Sequence, residues 1–114
     1  MNDAIERAAA AFRQAITRAI VPLQTMRGVS LRELAELEER AVELVRVLEG
    51  HALVPKALLK ELHVAARVLR NEAPSLGSER GRVEAAAAKL ESCLDMILND
   101  EGPDERVPGV PRIR

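Results

Sequence analysis

Apolar residues in this chain recur every three or four positions and almost never every second one, a spacing that commits the backbone to α-helix. Ile5, Ala9, Phe12, Ile16, Ala19, Leu23 and Met26 form the first such series. Leu34, Leu37, Ala41, Leu44 and Leu48 form the second, and Leu58, Leu62, Ala65 and Leu69 the third. Val83, Ala87, Leu90, Leu94 and Ile97 form the fourth. Each series lies on one side of its helix, and four one-sided helices bury those sides best against one another.

The punctuation between the series agrees. Asn2 or Asp3 caps the start of the first helix, which is expected to run to about Arg27 with a kink at Pro22, because proline lacks an N–H and crowds the preceding turn. Gly28 is the expected left-handed terminator. Ser30-Leu31-Arg32-Glu33 is a capping box, with Val29 and Leu34 as its hydrophobic staple. Gly50 closes the second helix. Pro55 opens the third, which stops before Pro74, and Ser78 is the expected cap of the fourth. The linkers are short enough to join antiparallel neighbours. The chain is therefore expected to be all-α, an antiparallel four-helix bundle over residues 1–100. From Glu101, Gly102, Pro103, Pro108, Gly109 and Pro111 break any helix and predict a flexible tail over 101–114.

Composition narrows the functions open to such a bundle. The sole aromatic residue is Phe12. The core must therefore be aliphatic, and stacking platforms for single-stranded nucleic acid are missing. A net charge of −1 gives no long-range attraction to nucleic acid or anionic membranes. Cys93, the only cysteine, rules out an intrachain disulfide and is expected to be a buried, inert thiol. The acidic residues Asp3 and Glu6 near the start do not fit a secretory signal, and no run approaches the ~20 apolar residues that span a bilayer. The expected setting is the cytoplasm of a bacterial-type cell, without membrane insertion.

Catalytic patterns are absent from the residues. There is no glycine-rich phosphate loop and no nucleophile elbow. Neither His51 nor His63 follows a Glu by three positions, as a di-iron bundle requires. No cofactor, metal or small-molecule ligand is inferred, and no catalytic residue is nominated. One charged stripe remains. Lys56, Lys60, His63, Arg67 and Arg70 are spaced four, three, four and three, which at ~100° per residue confines them to an arc of ~80° opposite the Leu58/Leu62/Leu69 core side. Either this is a solvated side paired with Glu36, Glu39 and Glu43 of the second helix, or it docks an acidic protein or a phosphate. Beside it, Ala57, Val64 and Val68 make an apolar flank which, with the run Ala85 to Ala88, would suit a dimer or a partner helix.

A histidine among basic residues on a four-helix bundle resembles the histidine-containing phosphotransfer domains. Arg67-Val68-Leu69-Arg70-Asn71, followed by Leu76-Gly77, looks like their His-x-Leu-Lys-Gly motif and later Leu-Gly. Arg67 stands where the phosphorylated histidine belongs and Asn71 where the glycine does, while His63 lies one turn earlier. The resemblance covers about residues 30–95 in pattern and implies a histidine phosphotransfer protein, or a degenerate form of one, with His63 as the candidate phospho-acceptor. The reading favoured by the residues themselves is a non-catalytic interaction or adaptor protein, engaging another protein or itself through a helical surface. Phosphotransfer is the alternative, and weak nucleic-acid binding as an accessory protein a further one, disfavoured by the abundant glutamates.

Overall fold

The computed structural model describes residues 3–103, and over these the chain is helical, with no strand. Helix α1 spans Asp3–Gln24, α2 Leu31–Leu48, α3 Lys56–Glu72 and α4 Arg80–Leu98. Two single 3₁₀ turns, Ala73–Ser75 and Gly77–Glu79, connect α3 to α4. The four helices pack on one another in the cyclic order α1, α2, α4, α3, and the contact between α1 and α3 is the slightest of the four. No described helix is long and apolar enough to cross a membrane.

The predicted series supply most of the core. Phe12, Leu34, Leu37, Leu44, Leu58, Leu62, Leu69 and Leu90 are fully enclosed. Between them lie alanines: Ala8, Ala9, Ala15 and Ala19 on α1, Ala41 on α2, Ala65 and Ala66 on α3, and Ala86 and Ala87 on α4. A methyl side chain holds two helix axes near the close end of the usual 8–10 Å range. On α4 the buried residues are Val83, Ala86, Ala87, Leu90, Cys93 and Met96, while Leu94 and Ile97 pack only at the edge. Val83, Ala87 and Leu90 are buried as expected, and only in the last turns does the buried side move back one residue, from Leu94 and Ile97 to Cys93 and Met96. Cys93 is buried, as expected.

α2 and α4 are tied together twice. Arg82 near the start of α4 forms a two-pronged ion pair with Glu38 in the first half of α2, Nη2–Oε1 2.6 Å and Nη1–Oε2 3.2 Å. At the other end the Gly50 N–H donates to Asp100 Oδ1 at 2.9 Å. The two contacts occur in the same order along both helices, so their C-terminal ends lie together. Gly102 completes this corner: a Cβ there would run into the Glu49 carboxylate. Glu101, expected to begin the tail, is buried. Residues 104–114 of that tail, and Asn2 of the first cap, lie outside the described residues.

Several helix ends differ from expectation. α1 continues through Pro22, as expected, but ends at Gln24, short of Arg27. The left-handed terminator is Met26, with φ of 59°, two residues before Gly28. The Met26 N–H donates to the Leu23 carbonyl at 3.3 Å and the Arg27 N–H to the Pro22 carbonyl at 2.8 Å. That is the Schellman pair of bonds. Met26 therefore points into solvent, 93% exposed, and does not join the core. Ser30 caps α2 as expected, its hydroxyl accepting the Glu33 N–H at 3.3 Å. Ser78 does not cap α4: it sits within the second 3₁₀ turn, and the residue preceding the helix is Glu79, which makes no side-chain capping bond.

A non-glycine residue held left-handed costs roughly 1–2 kcal/mol, of which glycine's extra freedom in the unfolded chain returns part. Met26→Gly is therefore expected to stabilise the fold by about 0.5–1 kcal/mol. Urea unfolding checks this as a higher midpoint with an unchanged slope.

Candidate functional site

All five residues of the stripe, Lys56, Lys60, His63, Arg67 and Arg70, are exposed on α3. Their surroundings differ. Arg70 turns toward α4, where its guanidinium pairs with Glu91, Nε–Oε2 2.6 Å. That hydrogen bond, outweighing the small cost of burial, holds the Glu91 carboxyl below its ordinary range and raises Arg70. His63 lies near enough to add weakly to the lowering of Glu91. Lys56, Lys60, His63 and Arg67 make no ion pair among the described residues.

The glutamates expected to face the stripe do something else. Glu36 and Glu39 meet Arg40, and Glu43 meets Arg46, all within α2. The reason is topological: α3 packs beside α4 and α1, with α2 on the far side of the bundle. A sequence cannot show which helices become neighbours, so the charge partner was assigned to the wrong helix.

On its other side the stripe borders a groove between α3 and α1, where the helix contact is slight. The groove has a volume of about 600 Å³. Its walls are Ile16, Ile20 and Gln24 from α1, and Ala57, Lys60, Val64, Ala65 and Val68 from α3. Ile20 and Ala65 are buried and form the floor, while Val64 stands 44% exposed at the lip. Arg13 and Glu61 also line it and clasp the two helices together, Nε–Oε2 2.7 Å and Nη2–Oε1 3.0 Å. Each neutralises the other, and the bond raises the Arg13 guanidinium.

Ala57, Val64 and Val68, singled out from sequence as an apolar flank, are thus the α3 wall of this groove. The Ala85–Ala88 run does not join them: Ala86 and Ala87 are core, and only Ala85 and Ala88 are exposed. The α1 wall was missed. Ile16 was read as core but is only partly buried, and Ile20 fell between the chosen positions. A signal existed, since Ile16 and Ile20 are spaced i, i+4 and widen the apolar side of α1 beyond what one neighbour can cover.

Among the described residues no cluster of three or more His, Cys, Asp or Glu side chains is arranged to hold a metal. Comparison with protein families, with curated proteins and with solved structures gives no match.

Proposed function

We propose that this protein is a non-catalytic interaction or adaptor protein of the cytoplasm that engages a protein partner through the α3 surface. The scaffold is read as two antiparallel hairpins, α1–α2 and α3–α4, with α1 bent at Pro22. The observation that carries the reading is the juxtaposition on α3: Lys60 lines an apolar groove, and Lys56, His63 and Arg67 stand beside it, none in an ion pair among the described residues. Exposed aliphatic side chains bordered by uncommitted charge favour association, since the apolar part supplies affinity and the charges supply orientation.

A photoreactive p-benzoylphenylalanine placed at Val64 tests this in the cells where the protein is native. It is expected to crosslink to a partner, and Lys60→Glu with Arg67→Glu is expected to abolish the crosslink while shifting the thermal midpoint by only a few degrees, as exposed substitutions do. Absence of a crosslink at position 64, or a crosslink that survives the double reversal, overturns the reading.

Phosphotransfer through His63 is the second reading. The observation favouring it is that His63 is exposed on the flank of a helix bundle, between Lys60 and Arg67, where cations would stabilise a phosphorylated imidazole. Incubation with a response regulator phosphorylated on its aspartate is expected to label His63. An unlabelled wild type, or equal label on His63→Ala, removes this reading.

A further inference from the structure

The interaction reading leaves the kind of partner open, and the groove restricts it by length, by backbone chemistry and by charge. Its walls run over residues 13–24 of α1 and 57–68 of α3. At 1.5 Å per residue each wall is about 17 Å long, or three helical turns. The floor is aliphatic, and the lining offers no sheet edge. An extended peptide laid here would bring unpaired N–H and C=O groups against Ile20 and Ala65, at a cost. A helix satisfies its own backbone and presents only side chains, so the groove suits a helix.

Charge fixes the rest. The cations of the lining are Arg13 and Lys60, with Arg67 adjoining Lys60 on α3, and the sole carboxylate of the lining is Glu61, which is held by Arg13. The lining and the adjoining Arg67 together carry a surplus of two positive charges in a chain whose net charge is −1. A second copy seated groove to groove would oppose this surplus with itself, which like-charge repulsion disfavours. Nucleic acid would meet aliphatic side chains where it needs phosphate contacts and stacking surfaces.

Resting on the interaction reading above, we infer that the groove binds one amphipathic helix of a different protein, about three turns long. Its apolar seam lies on Ile16, Ile20, Val64 and Val68, and its acidic flank faces Lys60 and Arg67. Recognition follows the helix-in-groove mode, with aliphatic anchors at i, i+3 or i+4, and i+7. The Arg13–Glu61 clasp fixes the spacing of the walls.

Two stapled helical peptides with the same leucine seam, one flanked by glutamates and the other by lysines, test the inference on the full chain. The glutamate peptide is expected to bind, with backbone amide shifts concentrated in residues 13–24 and 57–68. The Lys60→Glu/Arg67→Glu variant is expected to weaken it at least tenfold and to prefer the lysine peptide. Val64→Asp is expected to abolish both interactions while leaving the circular dichroism spectrum unchanged. Equal binding of the two peptides, shifts mapping to α2 or α4, competition by duplex DNA, or no binding by either peptide overturns the inference. A crosslink at position 64 that persists alongside any of these results leaves the interaction reading standing and the acidic-helix inference refuted. Absence of a crosslink at position 64 in the protein with Lys60 and Arg67 intact, by contrast, refutes the interaction reading itself.

Discussion

Alanine sets the spacing of this bundle. With Phe12 the sole aromatic side chain, little bulk is available to fill wide gaps between helices. The helices instead close on methyl groups at Ala8, Ala15 and Ala19 of α1, Ala41 of α2, and Ala86 and Ala87 of α4, all buried. Close approach of this kind gains many small dispersion contacts and tolerates little added volume. Leucines from the flanking turns, such as Leu37, Leu44 and Leu90, then seal the interior above and below the alanine contacts.

The same economy of volume explains the groove. α1 meets α2 across its alanine side, and α2 meets α4 at a seam clamped by Arg82–Glu38 and by Gly50–Asp100. α1 and α3 meet least, because their facing residues Ile16, Ile20, Val64 and Val68 do not reach across the remaining space. The Arg13–Glu61 clasp bridges it with two charges that are each partly exposed, an interaction better suited to fixing a distance than to adding much stability. Lys60 and Arg67 then border aliphatic surface with no ion-pair partner among the described residues, which connects the packing of the core to the proposed docking site.

Helix number and helix type were legible from the sequence because three- and four-residue spacing has no other physical reading. Ser30 was legible as a cap because its hydroxyl acts on its own helix, three residues away. The misreadings have other origins. Met26 and the Leu94/Ile97 pair follow from continuing a periodic pattern past the point where turns begin or neighbours change, and Ser78 from residue type alone. A left-handed methionine supports a helix terminator when the Schellman bonds are available, which residue type alone does not reveal. The stripe on α3 was visible as a stripe, yet its surroundings were not. Whether Arg70 meets Glu91 or a glutamate of α2 depends on which helices become neighbours, a property of the whole fold.

The claim that alanine contacts fix the helix spacing is tested most directly by comparing equilibrium unfolding of Ala41→Leu with that of Ala57→Leu. Ala41 is fully enclosed, whereas Ala57 lies exposed in the groove wall. Overpacking is expected to cost Ala41→Leu about 1–3 kcal/mol, while Ala57→Leu stays within about 0.5 kcal/mol of the parent. Equal tolerance of the two substitutions would contradict the account, because it would mean that the bundle can widen at its alanine contacts as readily as at its groove.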